Sequence, residues 1–222
     1  MKYTELISLL KQAVSFDEIN CKRDQIAELI PAVRLMFDFD QKNHAHQYDL
    51  WEHCVQTVLN LPKTIDNDLL FLAALLHDIG KPDSQCCGRR ADDKNMHYYG
   101  HPRRSVEIVC DQILPSLNQS GVQFTGDELR RLLYYVEYHD DRVSLRIKHL
   151  KRHLCRATFE DFQNLMHLQI ADAKAHVLLP VIQERIRICE QWSGEFGREK
   201  YEMLKRDSKE MFVEPGSRFG IL

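Results

Sequence analysis

The sequence predicts an all-α fold, and three observations carry that prediction. Apolar residues recur at the three-and-four spacing of amphipathic helices along most of the chain. No stretch shows the two-residue alternation of a half-buried strand. Eight residues, Leu69 to Leu76, are apolar without a break, and none is β-branched. They predict a helix that is apolar all round and therefore buried. Gly80 and Pro82 stop it, so a buried helix ends on the adjacent His77 and Asp78. A buried carboxylate is costly unless it is paired or binds a metal. A capped helix end with a His77–Asp78 hydrogen bond is the plainer alternative.

The other elements follow in order. Leu6, Ile7, Leu10 and Val14 make a first helical stripe. A second covers 24–37, with Ile26, Leu29, Ile30, Val33, Met36 and Phe37 on one side, and Pro31 predicts a kink or break in it. Residues 37–48 read as loop. A helix over 50–61 turns Leu50, Cys54, Val58 and Leu61 inward, with His53 at the edge of the stripe. Residues 83–100 lack helical period and carry Arg89, Arg90 and Lys94; they read as a long mobile loop beside the site, a candidate lid. Gly100-His101-Pro102 opens a helix with Val106, Val109, Cys110 and Ile113 inward. Thr125-Gly126-Asp127-Glu128 is a capping box. It starts a helix with Leu129, Leu132, Leu133 and Val136 inward, whose buried face ends on His139. A short helix covers 145–154. Thr158 to Asp161 begins another, with Phe162, Leu165 and Leu168 inward and Asp172 on the same face. A charged helix over 181–209 and a tail from 213 close the chain. The prediction is one domain over 1–222, with roughly eight to ten helices and its core within 25–180.

Composition narrows the function classes. The 222 residues are 28% charged with a formal net charge of −3, so no overall basic field points to nucleic acid, although a local patch is compatible with it. Seven Cys occur without C-x-x-C spacing, and the chain opens on an amphipathic segment instead of an apolar signal. The longest apolar run is too short to span a bilayer. A cytoplasmic protein with reduced thiols is expected, with no membrane partner. Cys86 and Cys87 read as ordinary loop thiols, since adjacent Cys lack zinc-site spacing.

His53, His77, Asp78, His101, His139 and Asp172 stand out together, because each lies at the inner edge or end of a predicted helix. Any single one reads as a satisfied core residue. Five helices each offering an inward imidazole or carboxylate point instead to a divalent metal site. These residues also carry a family resemblance. The order His, His-Asp, Asp, with H-D-I-G-K-P at His77 to Pro82, resembles the HD superfamily of metal-dependent phosphohydrolases. Phe39 to Asn43, His46 and Tyr48 to His53 resemble the entry to the HD domain of bacterial tRNA nucleotidyltransferases, the CCA-adding enzymes. Tyr98-Tyr99-Gly100-His101, His139 and Ala171-Asp172-Ala173 are similar to later motifs of the same group. The likeness covers roughly residues 25–180. It departs at His44-Ala45, where that group has Pro and an aromatic residue. The chain also has no Gly-Ser followed by D-x-D, so the nucleotidyltransferase head is missing and CCA addition is not implied.

The resemblance implies a helical domain with the metal site between its central helices. It implies one or two divalent ions of the Mg, Mn, Ni, Co, Fe or Zn kind. His53, His77, Asp78 and Asp172 would hold the principal ion, His101 and His139 a second or the substrate phosphate, and Asp78 would bridge. Asp78, His77 and Lys81 would carry catalysis, by attack of metal-bound hydroxide on a phosphomonoester or a cyclic or open phosphodiester of a nucleotide or RNA end. Lys81, Arg103, Arg104 and Arg142 lie beside the ligand motifs as phosphate-binding candidates, with the helix start after Pro102. Lys81 leads, because it is one residue beyond the Gly stop. His97, His44 and Asp140 are candidates to buttress the ligands. The partner is a phosphate-ester small molecule, foremost a nucleotide, with nucleic acid a second class. Two alternatives stay open: a catalytically silent module that binds nucleotide or RNA, and a protein in which metal mainly holds helices together.

Overall fold

The computed structural model describes residues 1–90 and 92–212; the tail expected from 213 lies outside them. Helices dominate as predicted, and the described residues form thirteen of them. The count exceeds eight to ten because several predicted helices are broken. The first three are α1 (Tyr3–Gln12), α2 (Phe16–Asn20) and α3 (Arg23–Leu29). Pro31 then ends α3 and starts a 3₁₀ segment, Pro31–Met36, which still buries Val33 and Met36. Val14 was expected inside but is 79% exposed, since α1 stops at Gln12.

The centre comprises α4 (Leu50–Asn60), α5 (Asp68–Leu76), α9 (Gly126–Tyr138) and α11 (Phe159–Lys174). α5 packs against α4, α9 and α11, and α11 packs in turn on α4 and α9. Every residue from Leu69 to Leu76 on α5 is buried. Each fully buried Leu contributes about 2 kcal/mol, so this helix anchors the core. Side-chain caps set where the central helices begin: Asp49 accepts from the Glu52 amide, Asn67 from the Leu70 amide, and Thr125 and Thr158 each complete a capping box.

Between α5 and α9 lie α6 (Lys81–Ser84), α7 (His101–Ile108) and α8 (Leu114–Gln119). The stretch expected as a long mobile loop holds a short antiparallel pair, β1 (Cys86–Cys87) on β2 (Met96–His97). One π turn, Val109–Ile113, joins α7 to α8. Pro115 has no N–H to bond the Asp111 carbonyl, and the ladder widens just before it. The widened turn changes the inward face: Val109 and Ile113 are buried, whereas Cys110, expected beside them, is exposed. The chain ends in α10 (Ile147–Leu154), α12 (Pro180–Ser193) and α13 (Glu195–Phe212). The single charged helix expected over 181–209 is therefore two, parted at Gly194, with α12 laid along α11.

Asp161 ties α11 to α9. Its carboxylate accepts from Arg131 at 2.8 Å, Arg130 at 3.2 Å and the Tyr135 hydroxyl at 3.2 Å, and Asp161 is 2% exposed. Burial pushes its carboxyl up, but the bond from Arg130, the Thr158 amide and the charge of Arg131 outweigh this and hold it below the ordinary value. Asp161→Ala should destabilise by about 2 kcal/mol, because it removes charge-assisted hydrogen bonds from Arg131 and Arg130 and the bond from the Tyr135 hydroxyl. The sign follows from the depressed folded-state pKa. The wild-type advantage is full at neutral pH, begins to fall near the unfolded value of about 3.9, and is lost as pH drops through the lower folded value. Urea melts of both proteins should differ less at about pH 3 than at pH 7.

Candidate metal centre

Six predicted side chains from five helices converge. His53 comes from the middle of α4, and His77 with Asp78 follows α5. His101 is the first residue of α7, His139 caps the C-terminus of α9, and Asp172 lies in the last turns of α11. All are buried, at 8% exposure or less.

The two oxygens of Asp78 face different groups. Oδ2 lies 3.3 Å from His53 Nε2 and 3.3 Å from His77 Nε2. Asp172 Oδ1 closes this group at 3.1 Å from His53 and 3.6 Å from His77. Asp78 Oδ1 lies 3.0 Å from His101 Nε2 and 3.2 Å from His139 Nε2, and those two nitrogens are 3.1 Å apart. Donors bonded to one ion at about 2.1 Å stand roughly 3.0 to 3.4 Å apart at right or tetrahedral angles. Both groups match the edges of such a polyhedron.

The protons make the same point. Nδ1 of His77, His101 and His139 lies 2.8, 2.8 and 2.7 Å from the carbonyls of Ala74, Tyr98 and Val136. A carbonyl only accepts, so each Nδ1 carries a hydrogen and each Nε2 is the nitrogen turned to Asp78, free to present a lone pair once it holds no proton. Lone pairs facing carboxylate oxygens repel unless a cation lies among them. His77 Nε2, both nitrogens of His53 and Asp78 Oδ1 are buried without a hydrogen-bond partner. Burial works against charge on His77, yet Asp78 and Asp172 outweigh it and push its pKa up to about 10. A field that would hold a proton there suits a divalent ion equally. The residues present fit one.

Around this centre Lys81 Nζ lies 2.6 Å from Asp78 Oδ2 and donates to Gln41 Oε1 at 2.8 Å. Burial opposes charge on both Asp78 and Lys81, but their attraction keeps each ionised. A cleft of about 410 Å³ opens above, lined by Asp78, Lys81, His101, His139, Arg142 and Asp172 among others. Arg103 and Arg104, predicted as phosphate ligands, are not in this lining. Arg103 pairs with Glu107, and Arg104 with Asp83 and Glu107, so their charges are already matched along α6 and α7. His97 and Asp140 line the cleft, but His97 bonds Asp93 and Asp140 pairs with Arg185, while His44 bonds Asn95; none of the three touches a ligand.

Three further side chains stand at the centre that were not predicted as site residues, although His46 belongs to the entry motif. His46 and His176 face each other across an isolated bridge, with ring centroids 4.5 Å apart. His176 also keeps its Nδ1 2.9 Å from the Asp172 carbonyl. Its four-residue spacing from Asp172 was a readable signal. Arg185 of α12 donates to the His139 carbonyl at 2.8 Å and stands 3.6 Å from Asp172 Oδ2. Nothing marks it among the many charges of its helix.

A family model described as the HD domain matches residues 45–161, a shorter span than the 25–180 expected. The match holds His53, His77, Asp78, His101 and His139, and Asp172 lies beyond it. No curated protein and no solved structure matches the chain. The matched span is more than half of the 222 residues and carries five of the six converging side chains; the chain belongs to the HD-domain family of metal-dependent phosphohydrolases.

Proposed function

We propose that the protein hydrolyses a phosphomonoester or a cyclic or open phosphodiester of a nucleotide or RNA end, with one or two divalent ions, in the cytoplasm. No described helix is long and apolar enough to cross a membrane. The observation that carries the reading is Asp78, with one carboxylate oxygen facing each donor group at the floor of the cleft. Divalent ions supply the positive charge that lowers the pKa of a water and neutralises phosphoryl oxygens. The chain's side chains do the rest. The backbone carbonyls behind His77, His101 and His139 hold the imidazoles in the ligating tautomer. Lys81 and Gln41 hold the Asp78 carboxylate in orientation. Arg142 lines the cleft with no ion-pair partner among the described residues, which suits it to the outer phosphate oxygens. The motif likeness to the HD domain of tRNA nucleotidyltransferases directs the choice of substrates toward 2′,3′-cyclic nucleotides and RNA 3′ ends.

Protein stripped with a chelator should hydrolyse none of a panel of 2′,3′-cyclic nucleotides, nucleoside monophosphates and an aryl phosphate. Adding back Mg, Mn, Ni, Co or Zn singly should restore turnover with at least one ester. Protein that binds a metal yet turns over no ester with any of them would overturn the reading in favour of a binding module.

A further inference from the structure

Residues 142–156 contain Arg142, Arg146, Lys148, Lys151, Arg152 and Arg156, two His, and no Asp or Glu. This lies in a chain whose net charge is −3. The fold arranges the charge in one direction. On α10, Leu150 and His153 are buried, His153 bonding Tyr134 and its carbonyl accepting from Tyr201 of α13. Lys148, Lys151, Arg152 and Cys155 all fall on the exposed side, at helical spacings of three and four. Arg152 pairs with Asp141, and Arg156 lies 6.0 Å over the Tyr138 ring. Arg142, Arg146, Lys148 and Lys151 have no acidic partner among the described residues. The row begins in the cleft, because Arg142 lines it.

We infer that this row is the track of a single-stranded polynucleotide whose terminal phosphoester enters the metal cleft. The inference rests on the phosphohydrolase reading and narrows its substrate class. A mononucleotide has one phosphate group to place, and the cleft's own cations suffice for it. An unpaired cation in the cleft wall, followed in the chain by unpaired cations on an exposed helix face, matches the repeating charge of a strand. The half-buried Tyr138, lying beside Arg156, offers a ring against which a base can stack. An anionic membrane surface would also meet a basic row, but it presents its phosphates spread over a plane and not as a single file ending in the cleft.

The test is fluorescence anisotropy with a 5′-labelled 12-mer oligoribonucleotide, over a salt series, for the wild type and for the double variant Lys148→Glu with Lys151→Glu. Both side chains are exposed and neither touches the metal centre, so turnover of a mononucleotide should be unchanged. The wild type should bind the 12-mer at least about tenfold more tightly than a mononucleotide competitor, with affinity falling steeply with salt. The double variant should lose about tenfold in affinity and about 1.4 in the slope of log affinity against log salt, at roughly 0.7 for each single-strand phosphate contact. Equal binding by both proteins, or wild-type binding no tighter than to a mononucleotide, would overturn the inference. So would charge-dependent binding to anionic vesicles without binding to the 12-mer. The two failures are separable: an absence of turnover on every ester refutes the hydrolase reading, whereas the anisotropy comparison judges the track by itself.

Discussion

Asp78→Asn is expected to abolish metal binding, whether one ion or two would be held, because its two oxygens face two different donor groups. The loss of charge stabilisation is several kcal/mol, or at least about 10³-fold in turnover on any ester the wild type cleaves. His53→Gln should instead weaken chiefly the group closed by Asp172, and His101→Gln chiefly the other. Metal content by mass spectrometry separates these cases, and full metal content in Asp78→Asn would refute the bridging role. Stability has to be followed in parallel. Lys81 is 5% exposed, and its ammonium is held 2.6 Å from Asp78. Removing the carboxylate strands a buried cation, at a cost of about 3 to 5 kcal/mol. The double variant Asp78→Asn with Lys81→Met should recover much of that stability while binding no more metal than the single variant. Recovery of stability without recovery of metal would separate the fold from the chemistry.

Gly80→Ala should disable the site without altering a single ligand. A Cβ on Gly80 would stand 2.5 Å from the Ser105 amide nitrogen, 2.7 Å from the His101 carbonyl oxygen and 2.8 Å from the Arg104 carbonyl carbon. All three are backbone atoms of α7, so the helix must move. The Gly80 amide also donates to Ser105 Oγ at 2.9 Å, and that bond would stretch. Overpacking of this kind costs about 1 to 3 kcal/mol. A displacement of about 1 Å in a positioned group can lower a rate about 100-fold. His101 begins α7, so its 3.0 Å approach to Asp78 would be lost first, while the group made by His53, His77 and Asp172 would keep its spacing. The expected result is a lower melting temperature, less bound metal and a strong fall in turnover. Unchanged metal content and unchanged activity would show that α7 tolerates the shift.

Gly80 also illustrates where local reading reached its limit. Its place after the apolar run suggested a helix stop, and α5 does end nearby. Its φ of −82°, however, is one that any residue adopts, and the glycine is required by the close passage of α7, 21 residues later in the chain for His101. Arg103 and Arg104 show the same limit from the other side. Their sequence position beside His101 suggested phosphate binding, but Glu107 and Asp83 neutralise them away from the cleft.

The sequence by itself determined the all-α class, the buried α5, the capped starts of α9 and α11, and the six inward imidazoles and carboxylates. Those properties are local: helix period, capping chemistry and the cost of burying a polar group act within a few residues. Tertiary structure alone decided that the six side chains form two groups sharing Asp78, that Arg185 and His176 stand beside them, and that Arg142 lines the cleft while Arg103 and Arg104 do not. Each of these depends on how separate helices cross, and a crossing depends on the shape of both faces in contact, which no single stretch of sequence contains.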